Sequence, residues 1–298
     1  MKTAAAPFRR LAVALAGAAV CATAGAASAE MAFSWQDRDV ARLVSLGGAC
    51  RGCELSGRDL TGASFTGANF SGATLVGANL RGAQLIGSNF SRSDFSRADL
   101  RGVTIVGANF TGSSFDSANL SGAVAQGALF TDASLSDADF SNAELVGVNF
   151  SGTRMAGADF RGSELFGADL RNAAASRANF SGAEMTAANL RGGDFRNADF
   201  RGAELNAAQL AGGRFAGADF SGAELGRADI RGADLSNARN LTQDQVDEAC
   251  ADSTTRLPSR LSNAGGCSGA RRFVRMPVPP RPPVAPAPRH IIAFNGGE

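Results

Sequence analysis

An apolar side chain recurs at every fifth residue from Leu55 to Leu235. Of these 37 positions, 16 are Leu, 15 are Phe, 2 are Ile and 2 are Met, and only Ala125 and Ala175 interrupt the run. A helix repeats its buried face every 3.6 residues and a flat strand every 2 residues, so neither element produces this spacing. The pattern predicts a solenoid, in which short units stack along one axis.

Small and polar residues hold fixed places around each apolar centre. The residue two before the centre is usually Ala, and the residue one before it is mostly Asn, Asp or Glu. Ser, Thr or Arg often follows the centre, and the next position is Gly in 24 units. In four more units that position is Asn142, Asn172, Asn197 or Asn237. Because Gly and Asn tolerate positive φ, each unit predicts an extended segment followed by a corner.

The phenylalanines predict that four units close one circuit. One run, spaced by 20 residues, comprises Phe70, Phe90, Phe110, Phe130 and Phe150. A second run, offset by 10, comprises Phe140, Phe160, Phe180, Phe200 and Phe220. With four units per coil, each run stacks as a column, and the two columns lie on opposite walls of an all-β solenoid.

Units such as Ala68-Asn69-Phe70-Ser71-Gly72 and Ala98-Asp99-Leu100-Arg101-Gly102 resemble the pentapeptide-repeat family. The resemblance covers residues 53–238 and implies a right-handed quadrilateral β-helix, which we assign to residues 50–240. At a spacing of about 4.8 Å, roughly nine coils would form a rod about 40–45 Å long.

Residues 1–29 are predicted to be a signal peptide. Lys2, Arg9 and Arg10 precede an apolar run over 11–20, and Ala27-Ser28-Ala29 has the small-x-small form of a cleavage site. A membrane anchor is the alternative, but the apolar run is short and rich in Ala and Gly. We therefore expect a periplasmic or secreted protein that has no stable membrane insertion after cleavage.

Capping segments are predicted at both ends of the rod, because an open β-helix exposes a sheet edge. Residues 30–49 are expected to contain a capping helix over 35–46. Residues 241–267 are expected to form the other cap, with a Thr242/Gln245 capping box, a Leu241/Val246 staple and a helix over 243–251. Residues 268–298 are rich in Pro and Arg and predict an extended, disordered tail that either stays solvated or binds an anionic or proline-binding partner.

Four cysteines remain after the signal peptide, and an even number in an exported protein favours disulfides. We predict Cys50 with Cys53 and Cys250 with Cys267, although the sequence does not fix the connectivity. A catalytic thiol-disulfide motif at Cys50-x-x-Cys53 is disfavoured, because no thioredoxin-like βαβ pattern surrounds it.

The surface offers little chemistry. The only histidine, His290, lies in the tail and there is no Tyr, so we predict no enzyme, no catalytic residue and no bound cofactor or metal. A carboxylate ladder recurs every 20 residues and either binds a divalent cation or is simply solvated, which we favour. It comprises Glu144, Glu164, Glu184, Glu204 and Glu224.

An apolar stripe is the most suggestive surface feature. Directly after the centre, where Ser, Thr or Arg is usual, stand Ile86, Val106, Val146 and Phe166, with Gln126 interrupting them. In a four-sided coil they project outward in one line, and exposed apolar stripes mark contact surfaces. The N-terminal helix or the tail could cover this stripe, β-branched residues could merely suit an extended wall, and a homodimer is a further option.

These observations predict a non-enzymatic, exported structural or protein-interaction scaffold that presents side-chain ladders to an unknown protein or envelope component. The alternative implied by the family resemblance is a DNA mimic that binds gyrase or topoisomerase. Residues 51–240 hold 17 Arg against 20 acidic residues, a net charge of −3, whereas a DNA mimic needs a dense negative surface. The export signal also argues against it, and we expect no nucleic-acid partner.

Overall fold

The computed structural model describes residues 49–263. Parallel β-bridges join each bridging residue to the residue 20 positions later, from Ala49 with Asn69 to Asp219 with Arg239. Four five-residue units therefore complete one circuit, which confirms the periodicity predicted from the phenylalanines.

The bridges form four columns, which we call walls 1 to 4 in the order in which the chain meets them. Wall 1 runs from Ala49 to Asp229, wall 2 from Glu54 to Asp234, wall 3 from Asp59 to Arg239, and wall 4 from Ser64 to Glu224. Each bridge is one residue long, because a corner follows at once. Walls 1 and 3 lie opposite each other, as do walls 2 and 4.

The corners are tight turns with a left-handed third residue. At one of them the Ala63 amide donates to the Leu60 carbonyl at 3.0 Å, and Gly62 has φ +66°. A positive φ at this place is what a type II turn requires. The predicted Asn residues behave in the same way, with φ of 54° at Asn142, 58° at Asn172 and 59° at Asn197.

The last corner is different. Asn237 does not have positive φ, and that conformation occurs instead at Asn240, with φ 55°. The Asn237 carbonyl accepts the Gly217 amide at 3.1 Å, one residue later than the carbonyls of preceding coils accept. The chain is leaving the repeat here, so the sequence pattern no longer controls the corner.

Both predicted Phe columns are present in the core. Successive ring centroids lie between 5.0 and 5.9 Å apart in the run from Phe70 to Phe150, and 5.1 to 5.2 Å apart in the run from Phe140 to Phe220. Wall 2 adds shorter stacks that we did not predict, such as Phe95 on Phe115 at 4.6 Å. Each buried Leu or Phe contributes about 1.5–3 kcal/mol, so these columns carry most of the favourable free energy of folding.

One short helix, α1, follows the coils over Gln243–Glu248. The Thr242/Gln245 capping box is present, and both Leu241 and Val246 are buried. The helix ends before the predicted 251, because Cys250 returns to bridge Asp229 on wall 1. A second bridge joins Arg256 to Asp234 on wall 2.

The predicted signal peptide, the helix over 35–46 and the tail over 268–298 lie outside the described residues. Within residues 49–263, no helix has the length and apolar character needed to cross a membrane.

Candidate functional site

The predicted stripe is one continuous column at the corner that follows wall 4. Backbone hydrogen bonds of 2.9–3.0 Å link each corner to the next coil, starting with the Gly87 amide on the Val106 carbonyl and ending with the Gly147 amide on the Phe166 carbonyl. The column therefore stacks Ile86, Val106, Gln126, Val146 and Phe166 in consecutive coils. The structure brings together all four predicted residues.

These side chains reach solvent. Ile86 is 37% exposed and Phe166 is 42% exposed, while Val106 and Val146 are half-buried. Only one other large apolar side chain among the described residues is exposed, Leu129 at 41%. The exposed apolar surface of the rod is thus concentrated at one place.

Leu129 and Val124 belong to the same surface and were missed in the sequence. Val124 lies in wall 4 between Thr104 and Glu144, and Leu129 follows on wall 1 around the same corner. Both occupy the position before an apolar centre, where Asn, Asp or Glu is usual, so the same departure from the repeat could have identified them. We call the six residues the apolar patch: Ile86, Val106, Val124, Leu129, Val146 and Phe166.

The glutamate column begins where the patch ends. Parallel bridges stack Glu144, Glu164, Glu184, Glu204 and Glu224 directly on one another. Among the described residues none of them forms a salt bridge. A side-chain amide donates to two of them, Gln126 to Glu144 at 3.3 Å and Asn206 to Glu224 at 2.7 Å. No group of three or more His, Cys, Asp or Glu in residues 49–263 is arranged to hold a metal ion.

Elsewhere on the rod many of the acidic side chains are paired with Arg. Where Asp precedes a centre and Arg follows it, the two side chains pair within the same unit, as in Asp99 with Arg101 at 2.5 Å and Asp199 with Arg201 at 2.6 Å. The hydrogen bond from the Arg101 guanidinium is the main reason that the pKa of Asp99 lies below its usual value. Wall 4 therefore differs in carrying five acids in consecutive coils, none of which forms a salt bridge with another described residue.

Asp229 is a buried variant of this pair. Its side chain is only 1% exposed and accepts from Arg231 at 2.7 Å and, across two coils, from Arg191 at 3.4 Å. Burial acts to raise the pKa of Asp229, but the hydrogen bonds from Arg231 and Arg191 hold it below its usual value. Its surroundings give it a structural role at the C-terminal end of wall 1.

The cysteines stand at the two ends of the described chain. The side chains of Cys50 and Cys53 are in contact and their Cα atoms are 5.6 Å apart, a separation that a disulfide can span. The disulfide itself stays a prediction. Cys250 is partly buried on wall 1, whereas Cys267 lies outside the described residues, so their predicted pairing is untested.

Residues 53–239 match the family described as pentapeptide repeats, with eight copies. The matched residues are 53–92, 78–116, 93–132, 133–172, 163–202 and 203–239. The chain is similar to HetL, a pentapeptide repeat protein involved in heterocyst differentiation regulation from the cyanobacterium Nostoc sp. strain PCC 7120. The identity is 31% over 63% of this chain and 84% of that chain, with a TM-score of 0.48.

The chain is also similar to full-length QnrB1, a plasmid-mediated fluoroquinolone resistance protein. The identity is 25% over 69% of this chain and 94% of that chain, with a TM-score of 0.45. No curated protein matches the chain.

Proposed function

Because this chain belongs to the pentapeptide-repeat family, we propose that it is an exported, non-enzymatic scaffold whose contact surface is wall 4 with its apolar patch. The family supports a repeat scaffold or interaction protein. The choice of surface and the export of the chain go beyond the family. The export rests on the sequence of residues 1–29.

The apolar patch carries the proposal. The three exposed large apolar side chains of the described rod, Ile86, Leu129 and Phe166, all lie in it. A coil of this kind needs apolar residues only at its inward positions, so outward apolar residues do nothing for the core. Contiguous exposed apolar surface marks interaction sites in soluble proteins.

A pull-down from the native envelope fraction tests this function. The full chain carrying Val106→Asp is compared with wild type and with Val76→Asp. Val76 is the matched control, because it has the same residue type at the same place in its unit and the same half-buried exposure, but lies at the corner that follows wall 2. We expect wild type and Val76→Asp to recover the same partner, and Val106→Asp to lose it.

Recovery of the same partner by Val106→Asp would refute wall 4 as the contact surface. The intact mass of the purified protein tests export separately. Cleavage after Ala29 leaves a chain that starts at Glu30, whereas an uncleaved chain in the cytoplasm would refute the exported part of the proposal.

Binding to gyrase or topoisomerase is the second candidate, because QnrB1 is a fluoroquinolone resistance protein. The charges of this rod oppose it. Carboxylates such as Asp99 and Asp199 are paired with Arg, so wall 4 alone presents a continuous row of unpaired acids. We expect the mature protein to leave gyrase supercoiling unchanged, and inhibition at micromolar concentration would favour the second candidate.

A further inference from the structure

We propose that the occupant of the apolar patch is a second copy of this chain, packed antiparallel with the two-fold axis at Gln126. The inference rests on the proposed use of wall 4 as a contact surface and names what binds there.

The corner column is palindromic in chemistry. From the N-terminal to the C-terminal side it reads Thr66, Ile86, Val106, Gln126, Val146, Phe166, Thr186. Read from Gln126 outward, both directions give valine, then a large apolar residue, then threonine. A two-fold interface is isologous, so that residue i contacts residue j of the other copy and j contacts i. A palindrome is the arrangement that such an interface requires.

The residues of the column are evenly spaced along the rod, so the palindrome in sequence is also a two-fold symmetric arrangement in space. One backbone hydrogen bond of 2.9–3.0 Å connects each corner to the next, from the Gly67 amide on the Ile86 carbonyl to the Gly167 amide on the Thr186 carbonyl. Each step is therefore one coil, about 4.8 Å along the rod. An axis at Gln126 places Val106 of one copy opposite Val146 of the other, and Ile86 opposite Phe166.

Gln126 suits the axis itself. A residue on a two-fold axis meets its own copy, and a primary amide carries both donors and an acceptor, so two such amides are complementary. The Gln126 side chain is exposed, and its Nε2 makes only a long contact of 3.3 Å to Glu144. It can therefore reorient toward a partner at little cost.

The glutamate column selects the antiparallel direction. In wall 4 the acids start at Glu144, on the C-terminal side of the axis, whereas Thr104, Gln84 and Ser64 on the other side are uncharged. Antiparallel packing sets Glu144, Glu164 and Glu184 of one copy beside Thr104, Gln84 and Ser64 of the other. Parallel packing would place the two columns side by side, where like charges repel.

Cysteine cross-linking in the full chain tests the register. Gln126→Cys is expected to give a disulfide-linked dimer on mild oxidation, because the residue meets its own copy at the axis. Ile86→Cys alone is expected to give none, since the two copies of Ile86 would be about 19 Å apart, beyond the reach of a disulfide. A mixture of Ile86→Cys and Phe166→Cys chains is expected to cross-link. Wild type, oxidised in parallel, accounts for the native cysteines.

Sedimentation velocity of the full chain over a concentration series tests the dimer without added cysteines. Wild type and Val76→Asp are expected to dimerise equally. Val106→Asp is expected to raise the dissociation constant on the order of 100-fold, because each dimer then buries two carboxylates against valine. Circular dichroism confirms that each variant is folded.

A wild-type chain that sediments as a monomer at every concentration would overturn the proposal. Self-cross-linking of Ile86→Cys as fast as that of Gln126→Cys would overturn the antiparallel register. The proposed function fails separately: Val106-dependent capture of an envelope partner by a monomeric chain would leave the function standing and remove the dimer.

Discussion

At the scale of the residue, an Asn or Asp side chain before an apolar centre accepts a hydrogen bond from a backbone amide of the corner that follows, and so stabilises that corner. The Asn69 Oδ1 accepts the Ser71 amide at 3.2 Å, and the Asp139 Oδ1 accepts the Ser141 amide at 2.9 Å. Such caps explain why Asn and Asp fill this place in most units. The side chains of Val124 and Leu129 have no oxygen that could accept such a hydrogen bond. Their corners therefore lack this cap, and the apolar side chains add to the surface that we propose for binding.

Truncation of Asp229 should cost far more stability than truncation of an exposed aspartate in the same motif. Asp229→Ala removes a buried carboxylate that accepts from the Arg231 amide, the Arg231 side chain and Arg191, and the loss of these hydrogen bonds is expected to lower the free energy of unfolding by about 1–3 kcal/mol. Asp159→Ala, which breaks the solvent-exposed pair with Arg161, is the control and should cost under about 1 kcal/mol. Chemical denaturation measures both, and equal losses would contradict the buried role of Asp229.

Replacing an alanine that has a left-handed backbone conformation by glycine should relieve backbone strain and stabilise the rod. Ala207 has φ 56°, which costs an L-residue about 1–2 kcal/mol, so Ala207→Gly is expected to gain up to about 1 kcal/mol after the entropic cost of glycine. Its neighbour Ala208 points into the core and lacks positive φ, so Ala208→Gly should destabilise. Thermal melting distinguishes the two, and a loss of stability in both variants would refute the strain at Ala207.

Inward and outward positions could be predicted from the sequence because a period of five assigns every residue to one place in a fixed unit. The column from Ile86 to Phe166 followed from the same rule. The burial of Asp229 could not be predicted, since its unit is like that of Asp159, and the difference comes from the return of Cys250 beside it. That return depends on the path after the repeat, where the period no longer applies.

At the scale of the element, the start of α1 could be predicted from the sequence, whereas the path of the segment after it could not. The capping box that starts α1 is local, because Thr242 and Gln245 satisfy each other within one turn, and so it was visible in the sequence. The bridges of Cys250 to wall 1 and of Arg256 to wall 2 join residues more than 20 positions apart outside any repeat. No local sequence pattern predicts these two bridges.

Asp252 should make this segment sensitive to acid. Its carboxylate accepts from the Thr254 hydroxyl at 2.7 Å, which is the main reason that its pKa falls to about 2, and it also accepts the Gly232 amide at 3.1 Å. A folded-state pKa below the ordinary value means that the stabilisation is complete above about pH 4 and is lost as the pH falls through about 2. Wild type should therefore melt higher than Asp252→Asn at pH 5, and the two should converge near pH 2.

The Asn variant keeps an acceptor oxygen and removes only the titrating charge, so it isolates the ionisation. A difference in melting temperature that stays constant from pH 5 to pH 2 would contradict this account.

At the scale of the whole molecule, the coils share one backbone structure but differ in the side chains that they expose. Every wall repeats the same bridge at an interval of 20 residues, whereas the acids of walls 1 to 3 include many paired with Arg and those of wall 4 stay unpaired. Folding therefore depends on the interval, and recognition depends on which coil carries which side chain.

Deletion of one whole coil, residues 187–206, should leave a folded rod, because Thr186 then joins Ala207 and every later residue keeps its wall and its inward or outward direction. In a solenoid each coil contacts only its neighbours, so the loss is one coil and its interface, and we expect the melting temperature to fall by roughly a few degrees. Deletion of residues 187–204 is the control: Leu205 then follows Thr186 at a corner, and the apolar centres of all later coils miss the core. That variant should lose the structure of its C-terminal half, seen as rapid amide exchange after residue 186. Equal protection in the two variants would mean that the coil interval does not determine the fold.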